Sequence, residues 1–242
     1  MFNFSFDKRI VYVIIAIMVL STITQYITNP SALFMLLVSV PGVLIAITFH
    51  EFAHGYVAYK LGDNTAKLEG RLSLNPFKHV DWLGLVCLLI CGFGWAKPVP
   101  IDARYYKDAK TGIIWTSFAG PVANFLLSFI CIFLFYALYK FAPQFMMTSV
   151  GYFVSNTLTY TGLISTGFGI FNLIPVPPLD GSKILFSFLP DDKYYKFIDG
   201  APWMNILFIF LIFTGLLDYP LGMLRSNMIQ FFEMIAKMIL GF

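Results

Sequence analysis

The chain has 242 residues, of which 58% are hydrophobic, 18% aromatic and only 12% charged, with a mean hydropathy of +0.76. Ordinary soluble domains carry about 25% charged residues, so disorder, a secreted disulfide scaffold and an ordinary soluble enzyme are excluded. A formal charge of +3, from 16 Lys+Arg against 13 Asp+Glu, is too small and too scattered for a nucleic-acid surface.

A bilayer-crossing helix needs about 20 apolar residues, and runs of that kind recur along the chain. They fall at about 10–27, 32–59, 113–139, 152–172, 203–217 and 221–240, each bounded by charge, Pro or Gly. The reading is an all-α, polytopic membrane protein of about six spans, forming a single domain over 1–242. Lys8 and Arg9 precede the first run without a convincing cleavage site after it, so that run reads as a retained span. Residues 83–96 are apolar but too short to cross, and Lys97 and Pro98 end them. A re-entrant or interfacial segment is expected there. Cys87, Cys91 and Cys131 all sit in apolar stretches without paired spacing and read as packing residues.

Positive residues in short loops mark the cytoplasmic side. Lys8 and Arg9 precede the first span, eight Lys and Arg fall in 60–112, and Lys183, Lys193 and Lys196 lie between the fourth and fifth spans. Only Lys140 and Arg225 fall clearly outside, so both termini are placed in the cytoplasm. The 60–112 loop contains KLEGRLSLN and KPVPID, whose partial alternation suggests a small cytoplasmic-side β region at about 65–104. An exposed strand there could take an extended substrate by strand addition, with Val99 and Ile101 in the pairing segment.

The second run ends in TFHEFAHGYVAYKLGD. His50 and His54, four residues apart, share one face of a helix where both imidazoles can reach one ion, and Glu51 projects nearby. Ionisable groups cost about 2.5 to 3.5 kcal/mol each in a membrane span, so their presence marks function. At 1.5 Å per residue the histidines lie about 9 to 15 Å below Lys60 and the cytoplasmic end, so a polar cavity must reach them. Catalytic zinc takes three protein ligands and leaves a position for water. The third ligand is open among Glu69, His79, Asp81, Asp102 and Asp180. Asp180 stands out, because Pro175, Pro177 and Pro178 break the helix before it, and irregular backbone in a bilayer survives only when buried or lining a wet cavity.

These segments, with GRLSLNPFKHVDWLG, GWAKPVPID, FAGPVAN and FNLIPVPPLDG in that order, resemble the site-2 protease family of intramembrane zinc metalloproteases. The resemblance covers nearly the whole chain, which looks like a minimal member without PDZ or CBS domains. It implies one Zn2+ per chain on His50, His54 and Asp180, with Glu51 as catalytic base. It implies that Asn172 helps hold substrate or the developing oxyanion, and it raises the standing of His79. On the residues alone, His79 reads as a surface or capping residue, Asn172 as a possible cap of the broken helix, and Asn124 as an interhelical hydrogen bonder or a substrate contact. The implied activity is hydrolysis of membrane-anchored proteins near the cytoplasmic face. The competing reading is a metal-ion transporter using the same His/His/Asp site. Against it stand the Glu between the histidines and the lack of an inverted repeat.

Overall fold

The computed structural model describes residues 8–91, 94–190 and 214–242, with 194, 204, 207–208 and 210–211 between them. The described chain is helical. Helices α1 (Lys8–Thr28) and α2 (Pro30–Lys60) are separated by Asn29, whose Oδ1 accepts from the Ser31 and Ala32 amides at 3.1 and 3.2 Å. With Pro30 following, this is a cap-plus-proline helix start. After α3 (Thr65–Leu68), a 3-10 turn at Pro76–Lys78 leads into α4 (Trp82–Cys91). A second such turn at Ala103–Tyr105 precedes α5 (Ala109–Phe141), which Asp108 caps. The chain continues through α6 (Pro143–Met146), α7 (Ser149–Asn172), α8 (Asp180–Phe186) and α9 (Asp218–Leu240).

Two of these helices, α2 with 31 residues and α5 with 33, are long and apolar enough to cross a membrane. The run expected at 203–217 lies partly outside the described residues, and its end, 214–217, is a turn rather than helix.

Helices α2, α5 and α7 pack against one another, and α9 closes against α5 and α7. The α5–α7 seam is polar and small. Ser128 Oγ donates to Gly162 O at 2.9 Å and lies 2.6 Å from Thr166 Oγ1, and Ser128 and Thr166 are both fully buried. In lipid, where apolar contact gives helices little reason to prefer one another, small residues and interhelical hydrogen bonds supply the specificity. The α5–α9 contact is instead apolar, with Phe232 and Ala236 against Ile132, Phe129 and Phe133.

The β region expected at 65–104 does not form strands among the described residues. Its one pairing is an isolated bridge between Val80 and Ala96. The reason is chemical: Pro98 and Pro100 have no N–H to give a ladder, and Gly70 breaks the first segment at a positive φ of 65°. Instead, residues 96–102 run as an extended strap tied down at three amides. Lys97 N–H donates to His79 O (2.9 Å), Val99 N–H to Glu51 (2.8 Å) and Asp102 N–H to Asp63 (2.7 Å). Between the two prolines and Asp102 the Ile101 amide alone lacks such a tie among the described residues, too little for the ladder that strand addition requires. The Val80–Ala96 bridge also means that the apolar segment carrying α4 begins and ends at the same place.

Candidate metal centre

His50 and His54 stand one turn apart on α2, both buried. The α7 helix ends at Asn172, and the prolines of 173–179 turn the chain so that α8 begins at Asp180. That turn delivers the Asp180 carboxylate to the histidines. Its Oδ2 lies 3.2 Å from His50 Nε2 and 3.0 Å from His54 Nε2, and the two Nε2 atoms are 3.0 Å apart. Donors about 2.0 to 2.2 Å from one tetrahedral centre stand about 3.3 to 3.6 Å from each other, so the triangle is a few tenths of an ångström tighter than a filled metal cage and would open slightly around an ion. The donor set, two imidazoles and one carboxylate, is chemically that of a catalytic zinc site. Among the described residues this is the group of His, Cys, Asp and Glu able to hold an ion.

Surrounding groups fix the donors. His54 Nδ1 donates to the Thr116 carbonyl at 2.6 Å, which directs its Nε2 lone pair to the cage. The side-chain amide of Asn124 lies 3.1 Å from His50 Nδ1. Lys183 Nζ donates to Asp180 Oδ1 at 3.1 Å, which leaves Oδ2 for the histidines. Gly120 on α5 forms the opposite wall, and a Cβ there would press into both imidazole rings. Glu51 points beside the cage, held by the Val99 amide.

Two cavities meet here. One, of about 380 Å³, is lined by His54, Tyr106, Thr116, Asp180 and Lys183, and its wall mixes polar with apolar surface. The other, of about 420 Å³, is walled mainly by apolar groups, among them Ile47, Leu85, Trp95, Phe168, Phe171 and Phe208. His50, Glu51, Pro98, Asn172 and Pro178 line both. Tyr106 is buried with its hydroxyl 3.0 Å from Thr116 Oγ1, and burial raises its pKa above the ordinary phenol range.

The other residues singled out in the sequence lie elsewhere. His79 is fully buried, with Nε2 2.7 Å from Ser73 O; it caps the C-terminal end of the 76–78 turn and lines neither cavity, so of the two readings its loop suggested it is the capping residue and not a surface one. Asn124 is also fully buried, out of reach of a substrate in either cavity. Asn172 lines both cavities, while its amide donates to Phe168 O at 3.0 Å within its own helix. Among the alternative third ligands, Glu69 is exposed. Asp81 Oδ1 accepts from Gly84 N–H at 2.9 Å. Asp102 pairs with Arg104, whose hydrogen bonds hold its carboxyl below the usual range. Residues not foreseen are Lys183, one turn past Asp180, and Arg71, buried with Nη2 donating to Lys97 O (2.7 Å) and Pro98 O (3.1 Å). Helical spacing could have revealed Lys183, whereas nothing local announces the Arg71 contact.

The profile of Peptidase family M50 matches residues 143–214. YwhC of Bacillus subtilis, named as a zinc metalloprotease, is 35% identical over 202 residues, covering 82% of this chain and 92% of the relative. Rip2 of Mycolicibacterium smegmatis, similarly named, is 26% identical over 184 residues, 74% of this chain and 68% of the relative. MJ0611 of Methanocaldococcus jannaschii is 29% identical over 189 residues, 76% of this chain and 86% of the relative. No solved structure matches the chain. Such similarity across most of its length, with a cage of the right donors, places the chain in Peptidase family M50, as a zinc metalloendopeptidase of the site-2 protease type.

Proposed function

We propose that the protein is an intramembrane endopeptidase of one zinc per chain that cuts membrane-anchored proteins near the cytoplasmic face. The observation that carries this reading is the closed triangle of His50 Nε2, His54 Nε2 and Asp180 Oδ2 beside Glu51, in the wall of a cavity that holds polar groups. Zinc held by those three donors would polarise the scissile carbonyl and lower the pKa of water from 15.7 to about 7. Glu51 takes the water's proton and returns it to the departing amine. The cavity of about 380 Å³ has room for the water this needs. The apolar cavity of about 420 Å³ suits side chains arriving from a membrane-embedded segment.

A helical substrate hides its carbonyls in its own hydrogen bonds, so the cut segment must unwind. Asn172, standing where the two cavities join, is the side chain best placed to meet the exposed backbone or a developing oxyanion. With the Lys-rich 60–112 loop beside the polar cavity, we place that opening and both termini in the cytoplasm, with the six spans forming one domain over 1–242.

The test is a vesicle reconstitution with a single-span protein as substrate. Glu51→Gln is expected to keep its zinc and lose cleavage by about 10²- to 10⁴-fold, while Asp180→Ala loses zinc. Undiminished cleavage by the Gln variant removes Glu51 from the chemistry, and full zinc in the Ala variant transfers the third ligand to another group.

A further inference from the structure

His50 ligates through Nε2 only if that nitrogen carries no proton. Its ring proton must then sit on Nδ1 and be donated to an acceptor. His54 meets this demand through the Thr116 carbonyl, 2.6 Å from its Nδ1. The group facing His50 Nδ1 is the amide of Asn124, at 3.1 Å, and the structure sets its nitrogen on that side. An amide nitrogen is a donor only. It would force Nδ1 to accept and put the imidazole proton on Nε2, aimed into the cage. A half-turn of the amide exchanges oxygen and nitrogen while leaving the heavy-atom positions in place.

After that half-turn the surroundings are satisfied. Ser165 Oγ donates to the Asn124 backbone carbonyl at 2.9 Å and lies 3.4 Å from the outer arm of the amide. With nitrogen in that arm, it faces a hydroxyl oxygen whose own proton is already committed, so donor meets acceptor. Asn124 and Ser165 are both fully buried, so no water competes for these groups. We propose that Asn124, steadied by Ser165 from α7, presents its carboxamide oxygen to His50 Nδ1 and is the positioning residue that presets His50 as a metal ligand. This rests on the zinc site of the preceding section and assigns Asn124 no contact with substrate.

The purified full chain in detergent separates the possibilities through zinc affinity, measured by competition with a chromophoric chelator. Asn124→Asp leaves only acceptor oxygens beside Nδ1, so it is expected to bind zinc at least as tightly as wild type. Asn124→Leu is expected to lose about 10- to 100-fold in affinity. Wild-type affinity in Asn124→Leu, or an Asp variant as weak as the Leu variant while equally helical, overturns the assignment. If the buried carboxylate prevents folding, the imidazole 15N spectrum of the zinc-loaded wild type decides. With only three histidines in the chain, His50, identified by loss of its signals in His50→Gln, is expected with its metal-bound nitrogen at Nε2 and a proton on Nδ1; a proton-free Nδ1 overturns the proposal. Failure of the wild type itself to bind zinc would instead strike the metal reading.

Discussion

At the scale of single residues, the site depends on side chains that are absent as much as on those present. Gly120 faces both imidazoles so closely that a methyl group would displace them. Gly120→Ala makes a clear test, because alanine favours the helix over glycine by about 1 kcal/mol. The variant should therefore keep α5 intact yet hold at least ~10-fold less zinc at a fixed free concentration, as read by elemental analysis beside circular dichroism; full zinc content would show that the rings yield. His50, Glu51 and His54 were legible in the sequence because their spacing is a local helical property. Asp180 stood out among five candidates because three prolines break the helix before it, but only the family resemblance singled it out as the third ligand. The partnership of Asn124 with His50 was not legible, since it arises only when α5 lies against α2, and no local pattern encodes which buried amide faces which ring.

At the scale of elements, the strap over 96–102 shows where sequence pattern misled. Alternation in KPVPID suggested a strand, but prolines at every second position deny one edge its donors, and side chains take over the role of a neighbouring strand. Arg71 is the main tie. It is buried, and one of its nitrogens holds two successive carbonyls, while its Nε has no hydrogen-bond partner among the described residues. Arg71→Met keeps the length and apolar stem but removes both donors. We expect amide exchange across 97–102, followed by mass spectrometry, to accelerate by ~10-fold or more with zinc content unchanged. An unaltered rate would mean that Glu51, Asp63 and the His79 carbonyl suffice to hold the strap.

At the scale of the whole molecule, the apolar runs at 10–27, 32–59, 113–139, 152–172 and 221–240 are helices, although the run at 203–217 ends in a turn and pattern alone gave no account of how the helices pack. Helix α5, at about 1.5 Å per residue, is about 50 Å long and exceeds the ~30 Å hydrocarbon layer. The turns at its two ends should accordingly face opposite sides of the membrane. A cysteine placed at Lys107 and one at Met147, each in a cysteine-free background, should react with an impermeant maleimide from opposite faces of sealed vesicles; labelling from the same face would refute the topology. A last consequence follows from where the three donors come from. His50 and His54 belong to the first half of the chain, and Asp180 arrives from the second, across the proline-broken turn. On the proposed ligand set the ion is a rivet between distant parts of the polypeptide as well as a reagent, so a chelator would loosen the join between α2 and α8 while silencing the enzyme.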